Sequence, residues 1–167
     1  RQNQLRLRSF DGDVAIGTGK SLTAIAITGA LYQQQCIQRV LIVAPLSILG
    51  VWQEEFAKFA AFPYSLTVLN GTGTKKAQAL SNLNGKPLQV AVINYESTWR
   101  LEKELAAWKP NLIIADEGHK IKTHNISASK AMHRLGAKAG YRLLLTGTPV
   151  TNKAIDLFSQ YKFLDPS

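Results

Sequence analysis

The chain has 167 residues, 46% of them hydrophobic, and 20 Lys and Arg against 11 Asp and Glu, for a formal charge of +9. That size suits one domain with its own core, and the single cysteine, Cys36, excludes an internal disulfide framework and fits a reducing compartment. No run reaches the ~18 apolar residues of a membrane span, since Val40 to Trp52 is broken by Pro45, Ser47 and Gly50, and no apolar block follows Arg1, Arg6 and Arg8 as a signal peptide requires.

In chain order, the first strand candidate is Val14–Ile16, behind the polar Asp11-Gly12-Asp13. Three residues are short for a buried strand, which averages ~5–6, so residues 1–13 are expected to be irregular or incomplete. The turn Gly17-Thr18-Gly19-Lys20-Ser21 then opens a helix predicted over Gly19–Gln34. Further strands are predicted at Val40–Ala44, Leu66–Leu69, Gln89–Ile93, Leu112–Ala115 and Arg142–Leu145. The intervening helices are predicted at Ile48–Phe59, Lys75–Leu83, Ser97–Trp108, Ser127–Leu135 and Ala154–Phe163. Nearly all-apolar runs such as LIVA, LIIA and LLL read as strands covered on both faces. Alternation of strand and helix implies an α/β fold, a mainly parallel central sheet with helices on both faces. Ligands of such sheets sit at the carboxyl ends of the strands. GTGKS, APLS, NYES, DEGH and TGTP each follow a predicted strand and should converge on one edge.

Two of these segments carry chemistry. On the glycine turn, Lys20 suits the β- and γ-phosphates of a nucleotide and Ser21 suits a magnesium ion, while the backbone N–H groups of Gly17, Gly19 and Lys20 cradle phosphate oxygens. The eight-residue phosphate-loop pattern would need glycine at position 14, where this chain has Val14, so the shorter G-x-G-K-[ST] form applies. Almost a hundred residues later, Leu112-Ile113-Ile114-Ala115 delivers Asp116 and Glu117. Asp116 suits the metal's water shell and Glu117 the attacking water. Together, in this order, they point to an ATP-hydrolysing P-loop domain that uses ATP and Mg2+.

Other features are weighed against simpler readings. Gly71-Thr72-Gly73-Thr74-Lys75-Lys76 is glycine-rich but lacks the Gly-Lys-Ser/Thr order, and is read as a surface turn. No Cys or His pair at ligand spacing makes DEGH a zinc site, so His119 is read as a link between the nucleotide site and another surface. His124 and His133 are expected on the surface, Cys36 as a small buried hydrophobe, and Leu49, Trp52, Phe56 and Phe59 as the core stripe of one helix. From Gly118 to Ile155 there is no acidic residue, while Lys120, Lys122, Lys130, Arg134, Lys138, Arg142 and Lys153 are basic. This suggests a polyanion near the nucleotide site, with a solvated basic face as the alternative.

These motifs carry a resemblance that runs from Ala15 to the end of the chain. The stretch from Leu41 to Phe56, with its Trp and Glu-Phe, resembles motif Ia of the SWI/SNF-type ATPases. This is a group of superfamily 2 helicase-like DNA translocases and chromatin remodellers. Asn94-Tyr95-Glu96 matches the Tyr-Glu after the next strand, and Thr146-Gly147-Thr148-Pro149 resembles the group's motif III. The tail from Asn152 to Pro166, with Asp156-Leu157-Phe158, continues the match. The resemblance implies the first RecA-like lobe, spanning 1–167, of a DNA-dependent ATPase that translocates on double-stranded DNA. It implies Thr146 and Thr148 as coupling residues and Pro45, Leu46, Ser47, Asn94 and Tyr95 as DNA contacts, which Lys120 and Lys122 would join. It also implies a second RecA-like lobe, absent from these residues, without which hydrolysis would be nearly inactive. A strand-separating helicase and a non-motor nucleic-acid-binding module are the alternatives. The expected location is intracellular, cytoplasmic in a prokaryote or virus and nuclear in a eukaryote, with no membrane partner.

Overall fold

The computed structural model describes residues 19–116 and 126–145. The order is α1 (Gly19–Gln33), β1 (Arg39–Ala44), a 3-10 turn (Leu46–Ile48), α2 (Leu49–Phe59), β2 (Tyr64–Val68), α3 (Gly73–Ser81) and β3 (Leu88–Asn94). There follow α4 (Tyr95–Arg100), α5 (Glu102–Trp108), β4 (Leu112–Asp116), α6 (Ile126–Lys138) and β5 (Tyr141–Leu145). The strands form one sheet in the order β2-β3-β1-β4-β5, and every pairing is parallel. A parallel sheet needs cover on both faces, which is why β1, β3 and β4 are apolar almost without interruption.

The side chains of each strand alternate between two cores. Val40, Ile42, Val90, Val92, Leu112 and Ile114 pack with Ala24 and Ile25 of α1 and with Leu49, Trp52 and Phe56 of α2. Leu41, Val43, Ala91, Ile93, Ile113 and Ala115 face the other way, against Leu80 of α3, Leu105 of α5, and Met132 and Leu135 of α6. One face therefore carries α1 and α2, and the other carries α3, α5 and α6 together with Tyr95 of α4.

At the amino edge Asn111 ties three strands together. Its Oδ1 accepts the backbone N–H groups of Gln38 (2.8 Å) and Arg39 (2.9 Å), and its carbonyl accepts the N–H of Tyr141 (2.9 Å). Arg39 Nη1 donates to the Trp108 carbonyl at 2.8 Å, which closes the loop before β4.

Five predicted strands are present, each within two residues of its expected ends; Val14–Ile16 and Ala154–Phe163 lie outside the described residues. Two expectations are corrected. The single helix expected over Ser97–Trp108 is two helices, because Leu101 leaves helical geometry (φ −111°, ψ 19°) to place its side chain in the core. Cys36 is exposed rather than buried. Gln35 takes a left-handed conformation (φ 59°) after α1, and the reversal puts Ile37, not Cys36, into the core.

Asn111→Ala removes the acceptor for two strand-end amides. Leaving such groups unpaired costs about 1–3 kcal/mol, so the melting temperature should fall by several degrees; an unchanged melt would show that water replaces the carboxamide.

Candidate nucleotide and nucleic-acid site

Since all described strands run the same way, the carboxyl ends of β1, β3, β4 and β5 share one edge. The register pairs Ala44 with Asn94, Val43 with Ala115, and Asp116 with Leu145. Asn94, Ala44, Asp116 and Leu145 thus form the last row of the sheet. The residue after each is Tyr95, Pro45, Glu117 and Thr146.

α1 reaches the same edge. Its C-terminal end lies at the amino edge, where Cys36 N–H bonds the Leu31 carbonyl and the chain turns into β1. Fifteen residues of α-helix rise about 22 Å, and a six-residue strand spans about 20 Å. The first turn of α1, with Gly19, Lys20 and Ser21 half-buried, therefore opens at the carboxyl edge. The Gly19 carbonyl accepts from Thr23 Oγ1 at 2.8 Å, a bond that firms this first turn.

Asp116 is held from both faces of the sheet. Following Leu112 and Ile114 in alternation, its side chain points to the α1/α2 face, where Trp52 Nε1 donates to Oδ2 at 3.0 Å. From the opposite core the Tyr95 hydroxyl donates to the Asp116 carbonyl at 2.5 Å. Sequence reasoning took Trp52 as core packing, and it is buried as expected, with Leu49 and Phe56 and with Phe59 at the margin. Its link to Asp116 was missed. The available signal was chemical: a buried indole N–H requires a partner.

Tyr95 is a correction. It was expected to offer a side chain to DNA, but it is 2% exposed and its hydroxyl bonds inward. Asn94, half-exposed beside it, accepts from Ser97 Oγ at 2.6 Å, and Ser97 Oγ accepts from Lys76 Nζ at 2.7 Å. Burial and the nearby Arg100 guanidinium lower the Lys76 pKa from the usual lysine range, partly offset by Glu96. Pro45 is half-exposed, and Leu46 (69%) and Ser47 are open to solvent. Gly17, Thr18, Glu117, His119, Lys120, Lys122, His124, Thr146 and Thr148 lie outside the described residues.

With this layout in view, the comparisons with known proteins carry weight. The SNF2-related domain matches residues 15–167. The chain belongs to that family. A probable ATP-dependent DNA helicase of Arabidopsis thaliana is 32% identical over 152 residues, covering 90% of this chain and 14% of that protein. A RAD54-like DNA repair and recombination protein of Drosophila persimilis is 31% identical over 165 residues, covering 90% of this chain and 20% of that protein. The chain thus spans at most about a fifth of these two relatives. Among solved structures, the Sulfolobus solfataricus SWI2/SNF2 ATPase core in complex with dsDNA superposes with a TM-score of 0.73 at 30% identity, covering 95% of this chain and 31% of that one. The fold is that of the RecA-like SWI2/SNF2 ATPase core.

In this SNF2-related domain the basic run after Asp116 divides. α6 carries its residues from the carboxyl edge down to the start of β5. Arg134 is paired there with Glu102 (2.5 and 2.7 Å), whose pKa is lowered chiefly by that hydrogen bond. Arg142 Nη1 caps α6, donating to the carbonyls of Gly136 (2.6 Å) and Ala139 (2.8 Å). Two members of the basic run, Arg134 and Arg142, thus have partners within the fold. The second glycine-rich turn is excluded as a phosphate cradle by its place. β2 is three strands from β4, about 14 Å at ordinary strand spacing, and Thr72 Oγ1 already accepts the Lys75 N–H. Among the described residues no cluster of His, Cys, Asp and Glu forms a metal site of its own, and no helix is long and apolar enough to cross a membrane.

Proposed function

We propose that this chain is the nucleotide-binding lobe of a DNA-dependent ATPase that couples ATP hydrolysis to translocation on double-stranded DNA. The observation that carries the reading is Asp116. It ends β4 on the face covered by α1, whose first turn presents Lys20 and Ser21 at the same edge. The family relationship supports it, and relatives are named as ATP-dependent DNA helicase and chromatin-remodelling ATPase.

The residues fit magnesium. A hydroxyl at Ser21 and a carboxylate at Asp116 are hard oxygen donors, too few to hold the ion alone and suited to one completed by phosphate oxygens and water. Ser21 would ligate it and Asp116 would act through water, and the bound ion would neutralise charge between the β- and γ-phosphates. Lys20 adds its ammonium at the terminal phosphates, and the N–H groups of Gly17, Gly19 and Lys20 cradle their oxygens. Glu117 orients the attacking water. His119, Thr146 and Thr148 relay the nucleotide state to the rest of the molecule.

On the same edge, Pro45, Leu46, Ser47 and Asn94 face the duplex, with Lys120 and Lys122 joining from the segment after Glu117. Such contacts go to phosphates and track the backbone without reading bases. The partner that completes the active site is a second RecA-like lobe, because phosphoryl transfer gains about 10³–10⁵ in rate from an arginine finger. The 167 residues alone therefore bind Mg-ATP and turn it over barely above background. The setting is intracellular, on DNA.

Lys20→Ala should abolish ATP binding in calorimetry while the circular dichroism melt stays unchanged; equal affinity would remove the phosphate-cradle assignment. The isolated chain should show negligible ATPase activity, with or without DNA. Brisk DNA-stimulated turnover would place the catalytic arginine inside these residues. Duplex binding should be weak, fall steeply with salt, and weaken equally for unrelated sequences when Lys120 and Lys122 are both changed to Glu. Salt-insensitive or strongly sequence-selective binding would favour a non-motor binding module.

A further inference from the structure

Asp116 is the meeting point of two hydrogen bonds that come from opposite faces of the sheet and from two of the segments proposed to face DNA. Trp52 stands on α2, the helix that continues directly from Pro45, Leu46 and Ser47. Tyr95 follows Asn94 and is the first residue of α4. Both side chains are 2% exposed, and both give their polar atom to the same residue: Trp52 Nε1 to the carboxylate Oδ2, Tyr95 Oη to the main-chain carbonyl. A ring that only fills space needs neither group; phenylalanine fills nearly the volume of Tyr95, and keeps an apolar ring, though a smaller one, at Trp52. The indole fixes the rotation of the carboxylate, and the phenol fixes the backbone that carries it.

We infer that Trp52 and Tyr95 are positioning residues: they aim the Asp116 carboxylate at the magnesium site and link it rigidly to two of the segments that meet the duplex. The inference rests on the proposed function, since it assumes that Asp116 serves magnesium and that Pro45–Ser47 and Asn94 face DNA. It adds a direct mechanical path. A shift of the 3-10 turn moves α2 as a helix, and with it the donor to Oδ2; a shift at Asn94 moves the donor to the carbonyl.

The test uses the 167-residue chain, Trp52→Phe and Tyr95→Phe, and a fluorescent ADP analogue titrated in Mg2+ and in excess EDTA. Losing a hydrogen bond to a charged group reduces the Mg-dependent gain in affinity by about tenfold in Trp52→Phe, and losing one to a neutral carbonyl by about threefold in Tyr95→Phe. Affinity in EDTA should stay as in the parent chain, which a merely structural role would not predict. A second readout is taken on the parent chain itself. The chain has three tryptophans, and the Trp52 indole N–H resonance, assigned by its loss in Trp52→Phe, should shift on adding Mg-ADP and again on adding duplex DNA. If the parent chain shows no Mg-dependent gain, the proposed function fails and this inference with it. If the parent gains, both variants gain equally and the Trp52 resonance does not move, the proposed function stands and this inference is overturned. Should a variant fail to fold, the resonance of the parent chain, assigned then from its through-space contacts to the neighbouring Phe56 ring, decides alone.

Discussion

Parallel pairing is the constraint on which the rest of the structure depends. An antiparallel sheet returns the chain to alternate edges, whereas here every described strand arrives at the same one, after a helix has carried the chain back. The cost is burial on both faces, met by two apolar cores that divide each strand between them. The return is convergence. Segments separated by scores of residues, from Ala44 to Leu145, end within one row of the sheet. Asn111 secures the opposite edge, where the starts of β1 and β5 would otherwise expose unmatched amides.

At the end of such a sheet a carboxylate is costly, because the strand that delivers it is fully buried up to its last residue. Half-burial disfavours a charge unless donors compensate it. Trp52 supplies a donor from an otherwise apolar environment, so the ring covers the core while its N–H meets the acid. Tyr95 does the same from below, for the main chain. The two aromatic residues are therefore both core and site, and a description that assigns each residue to only one of these misses the connection.

That dual use explains what could be read from the sequence and what could not. Strands β1, β3 and β4 announce themselves because a strand covered on both faces has no polar positions to blur the pattern. The glycine turn and the Asp-Glu strand end declare their chemistry through residue type and order. Orientation is harder. Tyr95 lies in a motif that the family resemblance associates with DNA, yet which way a tyrosine at a strand-to-helix junction turns depends on the space beneath it, and here that space ends at the Asp116 carbonyl. Likewise Leu101 splits a helix that periodicity runs straight through, because a core position and a helical dihedral compete and the core prevails. Cys36 was misplaced for a related reason: one left-handed residue, Gln35, rotates the following side chains, and composition does not reveal that rotation.

The charge of +9 takes on a different meaning once its members are located. Each described arginine has a protein partner: Arg39 the Trp108 carbonyl, Arg100 the Glu96 carboxylate, Arg134 the Glu102 carboxylate, and Arg142 the last turn of α6. The Arg100 pair is solvent-exposed and correspondingly weak, and Arg134, also exposed, ties α6 to α5, while Arg39 closes a loop and Arg142 a helix end. Arginine is the residue whose planar fork reads guanine in the major groove. With those forks already partnered by protein groups, the described surface offers lysines, hydroxyls and backbone N–H groups. Lysine is a compact, strongly hydrated point charge on a flexible stem. It meets a phosphate equally well at every step of a duplex, so such a surface carries no preference for base sequence.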